Sequence, residues 1–137
     1  MCLKRSFGLK INYILFLSML YLRHIKENII AQYIELENGE NDIVKIEKIA
    51  SAYLPLHRKS YYLTHFYGGW GAEMKMKEER LTPGTKSIEA RTGILTTESV
   101  NSSFMLSADA PAQEGTGEIY AGSLAWSGNY KMTFELD

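Results

Sequence analysis

Cysteine is nearly absent from this sequence, since Cys2 is the only one in 137 residues. A single cysteine cannot form an intramolecular disulfide and cannot supply a cysteine-based zinc site. The three histidines, His24, His57 and His65, are isolated, and none pairs with another His, Asp or Glu at a metal-ligand spacing. We therefore expect no metal and no cofactor.

An excess of charge of one sign is also missing. Fifteen basic and sixteen acidic residues leave a net charge of −1, and no basic stripe is present. This balance makes nucleic acid an unexpected partner. Serine-nucleophile motifs, phosphate loops and dinucleotide fingerprints are absent as well. The segment Gly115-Thr116-Gly117 is too short to match one of these glycine-rich loops, and no helical pattern follows it.

A paired set of catalytic carboxylates is not evident either. Glycoside hydrolysis needs two carboxyl groups that face each other across the scissile bond. No acidic residue stands in a context that would raise its pKa or give it such a partner; the candidates are Glu73, Glu78, Glu79, Glu89, Asp109, Glu114 and Glu118. We expect them to be solvated, and we predict no catalytic residue in this chain.

One apolar run begins at Ile11 and ends at Leu22. It is shorter than the ~20 residues that a membrane-spanning helix needs. Its length and the preceding basic residues suit a signal peptide, but Arg23-His24-Ile25-Lys26 is not a small-residue cleavage site. Three interpretations stay open: a buried strand or helix, a signal-like anchor, or an artefact at the start of a truncated frame. We predict a cytoplasmic protein, with a signal or anchor as the alternative.

What the sequence does contain points to β structure. Apolar residues make up 45% of the chain, which is enough for a core in one domain or in a piece of a larger one. Nine tyrosines, five phenylalanines and two tryptophans favour strands. Many short strands with closely spaced turns are typical of a sandwich or barrel.

The alternation of side chains places most of these strands. Residues 29–36 predict a strand, and Asn38-Gly39 predicts a hairpin turn after it. Residues 43–54 fit both helical and strand spacing, and the turn before them and Pro55 after them favour a strand. Residues 92–103 predict a loop. Further predicted strands cover 60–67, 73–80, 86–91, 104–108, 118–126 and 129–136, the last two forming a hairpin at Ser127-Gly128.

The segment from Tyr61 to Glu73 is the most distinctive. Alternating bulky residues predict a strand that ends in three glycines around Trp70. Glycines let the backbone adopt positive φ or approach another surface closely. A tryptophan on such a bend suits stacking on a flat apolar face, such as one side of a sugar. The alternative is that Trp70 closes the end of a β-sandwich core.

Residues 27–137 resemble the amino-terminal β-sandwich domain of the α-galactosidases of glycoside hydrolase family 36. The segment Gly69-Trp70-Gly71-Ala72-Glu73 matches the Trp and Glu of the family's Gly-x-Trp-x-x-Glu signature. The most specific blocks are 117–120 and 123–130. Weaker similarity covers 28–32, 34–38, 50–55 and 89–93, so that about four fifths of the chain is included.

The resemblance implies a role for several residues. In the family, the tryptophan that matches Trp70 contacts the sugar, so Trp70 is the expected substrate-binding residue. Glu73 and Arg91 match positions that we assign to structure, with a salt bridge within the sandwich. Trp126 and Tyr130 are expected to pack in the core.

The resemblance also implies a fold class and a function for a longer parent protein. We expect an all-β chain, a partial antiparallel β-sandwich of the supersandwich type that is incomplete at both ends. Its domains are a divergent segment at 1–26 and the family domain at 27–137. The family's two catalytic aspartates lie in a following (β/α)8 barrel that is not present here.

The expected function is therefore that of a non-catalytic piece of a retaining α-galactosidase, which hydrolyses α-galactoside oligosaccharides such as raffinose or melibiose. The parent enzyme is expected to form a homo-oligomer. A free-standing carbohydrate-binding or structural β-sandwich is the alternative. A small protein anchored to a membrane by residues 11–22 is a third interpretation, although nothing firm indicates a membrane.

Overall fold

The chain divides into two compact units, residues 1–56 and 57–137, and each contains β-strands. The computed structural model describes residues 2–11, 14–25, 28–39, 41–47, 49–91, 99–126 and 128–137. Every strand pair in this described part is antiparallel, and no helix occurs there. The expectation of an all-β, antiparallel chain is confirmed.

The first unit contains a three-stranded sheet of β1 (Cys2–Ile11), β2 (Ile14–Ile25) and β3 (Ile29–Asn38), in the order β1-β2-β3. Most of the apolar run discussed above therefore lies in β2. Among the residues that the structure describes, no helix is long and apolar enough to cross a membrane.

The chain after β3 does not form the strand that we predicted at residues 43–54. The Asn38 amide donates to the carbonyl oxygen of Asp42 at 2.8 Å, so the chain does bend after β3. Within 41–47 and 49–56 no strand follows, and Ile43 and Tyr53 are 101% and 85% exposed. Both the strand and the hairpin predictions are wrong here, because alternation alone does not provide a pairing partner.

The second unit contains two sheets. The larger has the order β5-β4-β7-β8 and the smaller the order β6-β9. Their strands are β4 (Tyr61–Gly69), β5 (Ala72–Arg80), β6 (Gly84–Ala90), β7 (Ser99–Ala108), β8 (Ile119–Ser123) and β9 (Tyr130–Leu136).

Side chains from the two sheets contact each other, as expected for a partial β-sandwich. The rings of Phe104 on β7 and Phe134 on β9 meet edge to face, with centroids 5.0 Å apart. The Tyr130 hydroxyl on β9 donates to the carbonyl oxygen of Val100 on β7 at 2.7 Å. Leu63, in the central strand β4, is fully buried.

Two predictions for this unit need correction. We expected β8 and β9 to pair as a hairpin, but β8 pairs with β7 and β9 with β6. We also expected a loop through residue 103, but β7 already begins at Ser99, while 92–98 lie outside the described residues. Both errors have the same cause, since the partners of a strand are distant in sequence and leave no local signal.

Candidate functional site: the hairpin that carries Trp70

The hairpin of β4 and β5 turns at Trp70 and Gly71. Gly69 and Ala72 are paired across the hairpin, so the loop contains only these two residues. Gly71 has a φ of 73°, whereas the φ of Trp70 is not positive. A positive φ at the second loop position is what a type II turn requires, and glycine adopts it without strain. Gly71 therefore allows the tight turn that places Trp70 at its tip.

A carboxylate closes this turn. The backbone N–H of Gly71 donates a hydrogen bond to Glu73 Oε1 at 3.0 Å. Hydrogen bonds to a charged acceptor are stronger than those between neutral groups. Glu73 thus holds the amide that directly follows Trp70, which is a structural role. Among the described residues this role depends on a backbone hydrogen bond and not on the salt bridge that we expected.

A β-bulge follows the turn on β5. Tyr67 pairs with Lys75 and Gly69 with Ala72, so Glu73 and Met74 together face Gly68. A Cβ atom at Gly68 would lie 2.6 Å from the carbonyl oxygen of Ala72 and 2.8 Å from the Cα of Glu73. Only glycine fits under the bulge at this position, since both neighbours are backbone atoms.

The indole of Trp70 is displayed to solvent, with the residue 85% exposed. The neighbouring Tyr67 is 43% exposed. The alternative in which Trp70 closes the end of the core is therefore wrong for this chain. An exposed indole offers a flat apolar face and one N–H donor, which suits a ligand with both an apolar and a polar side.

The other residues that the resemblance singled out have mixed outcomes. Tyr130 is buried as expected, and burial raises the pKa of its hydroxyl. Trp126 is 59% exposed, so its expected core position is wrong. Its indole lies over Gly128 and donates to the carbonyl oxygen of Asn129 at 3.2 Å. Arg91 forms an exposed salt bridge with Glu89, two residues away.

Three carboxylates of this unit have partners that favour the ionised form. A hydrogen bond donated by Lys86 lowers the pKa of Glu79, and one donated by Arg91 lowers the pKa of Glu89. Hydrogen bonds donated by Tyr120 and Arg58 lower the pKa of Glu118. A general acid in glycoside hydrolysis needs a raised pKa instead. These three carboxylates are therefore unsuited to protonate a leaving group.

Glu79 belongs to a cluster between the two sheets. Lys86 Nζ on β6 lies 2.7 Å from Glu79 Oε1 on β5, and Lys77 Nζ lies 3.4 Å from Glu79 Oε2. His65 Nε2 on β4 lies 3.9 Å from Glu79 Oε1. Burial lowers the pKa of His65, partly offset by the Glu79 charge. Within the described part of the chain, neither ring nitrogen of His65 has a hydrogen-bond partner.

Metal binding has no structural support in the ranges that the structure describes. No group of three or more His, Cys, Asp or Glu side chains there could hold an ion. His65 and Glu79 lie near two lysines, which is an unfavourable setting for a cation.

Several residues that shape the hairpin were not found by sequence reasoning. The glycine cluster was noticed as a whole, but the close contact that requires Gly68 depends on the bulge in β5. Met74 was predicted as an ordinary strand residue, yet it adopts a positive φ of 55°. Asn101 was assigned to a loop, although it lies in β7 and contacts Met74. No local sequence signal marks these features.

Comparison with known proteins gives one family and two curated relatives. The family model described as "Glycosyl hydrolase family 36 N-terminal domain" matches residues 12–137. Alpha-galactosidase AgaA of Geobacillus stearothermophilus is 26% identical over 117 residues, which is 85% of this chain and 16% of the relative. Alpha-galactosidase Mel36A of Lactobacillus acidophilus is 27% identical over 119 residues, 87% of this chain and 16% of the relative.

The chain thus spans about 16% of the length of the curated relatives that it matches. The match includes the Trp70 hairpin and both sheets of the second unit. The family that we recognised from residues 117–130 and from the Trp70 segment is confirmed. This chain belongs to the glycoside hydrolase family 36 N-terminal domain family.

Proposed function

We propose that this chain is part of the N-terminal domain of a retaining α-galactosidase and that Trp70 contacts the terminal galactoside. The observation that carries the proposal is the exposed indole of Trp70 on a hairpin whose backbone is closely constrained. The named relatives are both α-galactosidases, which supports the activity of the parent protein.

The chemistry of stacking supports the sugar contact. One face of galactose carries mainly C–H groups and is apolar, while its edges carry hydroxyls. An indole offers a complementary flat surface, and its N–H can donate to a hydroxyl. Because the turn is already held by Glu73 and Gly71, little ordering of the backbone is lost when a ligand binds.

The proposed role of the chain itself is non-catalytic. Glu79, Glu89 and Glu118 each have a lowered pKa and a cationic or phenolic partner. Hydrolysis by the parent protein would then depend on groups outside this chain. Terminal α-galactosides such as raffinose and melibiose are the proposed substrates, and the homo-oligomer of the parent enzyme stays a prediction.

A direct test uses a chimera in which this chain replaces the matching segment of the Geobacillus stearothermophilus relative. The substrate is a chromogenic α-galactoside, and KM and kcat are measured for Trp70→Ala. We expect KM to rise about tenfold, as for loss of one well-packed aromatic contact worth ~1–2 kcal/mol. Trp126→Ala is the matched control, since it removes an exposed indole elsewhere on the same unit.

Two results would overturn the proposal. An unchanged KM in the Trp70→Ala chimera would remove the sugar contact. Turnover by the purified 137-residue chain above background would contradict its non-catalytic role. The free-standing carbohydrate-binding module would be favoured by two findings together. The chain would bind galactosides, and the reading frame after Asp137 would encode no barrel.

A further inference from the structure

The hairpin tip is bounded by two irregular positions on opposite sides of β4. On β5, Glu73 and Met74 together face Gly68. On β7, the register passes from His65–Phe104 to Tyr67–Val100, so three residues, 101–103, face Phe66 alone. Bulges bend a strand and re-aim the side chains beyond them. Trp70 follows both irregular positions along β4, four residues after Phe66 and two after Gly68.

Asn101 joins these two bulges. Its Oδ1 accepts a hydrogen bond from the N–H of Ser103 at 2.9 Å, within the β7 bulge. Its Nδ2 donates to Sδ of Met74 at 3.7 Å, within the β5 bulge. β4 lies between β5 and β7 in the sheet. Gly68, which faces Met74 from the central strand β4, has no side chain.

Met74 carries backbone strain at this point. Its φ of 55° is in the left-handed region, where a non-glycine residue is disfavoured. Such strain persists only where surrounding contacts fix the conformation, and it is concentrated at functional sites. Two hydrogen bonds lie beside this position: Asn101 Nδ2 donates to Met74 Sδ, and the N–H of Gly71 donates to Glu73 Oε1.

We infer that Asn101 is a positioning residue for Trp70, acting through Met74 and the β5 bulge. The inference rests on the proposed function of Trp70 for its biological meaning, but its structural part stands by itself. Loss of the Asn101–Met74 contact frees the bulge, and the turn that carries Trp70 then samples more orientations.

The first experiment measures backbone order parameters by NMR relaxation on the full 137-residue chain. Asn101→Asp keeps the Oδ1 acceptor for Ser103 and removes the N–H donor to Met74. Met74→Leu keeps the volume and removes the sulfur acceptor. In both variants we expect the order parameters of Trp70 and Gly71 to fall from the ~0.85 of rigid backbone towards ~0.6. The amide of Asn129 is the internal control.

A double variant tests whether the two residues form one link. Asn101→Asp combined with Met74→Leu is expected to lower the Trp70 order parameter no further than either single variant, because both remove the same contact. Additive losses would overturn the inference. So would an unchanged Trp70 order parameter in both single variants, or an equal loss at Asn129, which would indicate a global change.

The second experiment separates this inference from the proposed function. In the chimera described above, Asn101→Asp is expected to raise KM for the chromogenic α-galactoside by about two- to fivefold with kcat unchanged, as for loss of one weak hydrogen bond. A fall in the order parameter with KM unchanged in both Asn101→Asp and Trp70→Ala would retain the positioning link and reject the sugar contact. An unchanged order parameter beside a Trp70→Ala effect on KM would reject the positioning link alone.

Discussion

The two halves of β4 differ in the regularity of their pairing and in the exposure of their side chains. The first half, from Tyr61 to His65, pairs in continuous register with β7 and, from Tyr62 onwards, with β5. Leu63 and Thr64 in this half are 0% and 1% exposed. The second half, from Tyr67 to Gly69, is flanked by bulges and ends at the exposed Trp70. One strand thus provides a stable core at one end and a displayed side chain at the other.

The comparison of the two halves shows how a hairpin can expose an aromatic residue at its tip while the rest of the strand stays paired in the sheet. Regular pairing and burial at the first half hold β4 in the sheet. In the second half, Gly68 and Gly69 provide no side chain to pack, and the bulges interrupt the regular pairing. The prediction is that substitutions in the first half act on stability, whereas those in the second act on the site.

The largest expected effect is at the buried half. Leu63→Ala is expected to lower the free energy of unfolding by about 2–5 kcal/mol, because it leaves a cavity at a fully buried position. Trp70→Ala is expected to change it by less than about 0.5 kcal/mol. Urea unfolding of the two variants measures this contrast. Equal shifts in the two midpoints would contradict the division of β4 into two halves.

A smaller effect is expected at the glycines of the tip. Gly68→Ala places a Cβ 2.6 Å from a backbone oxygen and is expected to cost about 1–3 kcal/mol. Gly71→Ala meets no atom within 4 Å, and its cost comes only from the φ of 73°.

Asparagine separates these two causes, because it tolerates positive φ better than alanine. Gly71→Asn is expected to recover most of the stability that Gly71→Ala loses. Gly68→Asn is expected to remain as unstable as Gly68→Ala, since its problem is space. Thermal unfolding of the four variants measures these stabilities. If Gly68→Asn were more stable than Gly68→Ala, the close contact between a Cβ at Gly68 and the β5 backbone would be refuted.

The smallest expected effect is a pH dependence from His65. Burial lowers its pKa below the usual 6.5, so the unfolded chain binds a proton more readily than the folded one. The charged groups that face His65 are Glu79 and Lys77 on β5 and Lys86 on β6. His65 therefore does not lower the free energy of unfolding above pH 6.5. Below pH 6.5 it lowers this free energy progressively, until the pH reaches the lower folded-state pKa of His65.

Urea midpoints between pH 7.5 and 5.5 measure this dependence. His65→Phe is expected to flatten the curve in this range, and His57→Asn, at an exposed position, is the control variant. The pKa of Glu79 is lowered by its hydrogen bond from Lys86, so its contribution is lost only below the usual 4.5. An equal slope in wild type and His65→Phe would contradict the role of His65.

Local patterns determined several elements in advance. Period-two alternation placed β3, β4 and β5 within a few residues of their observed bounds. The glycines around Trp70 predicted its sharp turn, because a positive φ is a property of a single residue. The residues near 117–130 and 69–73 predicted the family. These features depend on residues that are neighbours in sequence.

Only the tertiary structure decided which strands pair and which side chains become buried. The partition of β8 and β9 into different sheets, the exposure of Trp126 and the absence of a strand at 49–56 all depend on distant partners. The contact of Asn101 with Met74 is of the same kind, since 27 positions separate the two residues. Alternation specifies a face of a strand but no partner for it, and only folding of the sheet provides that partner.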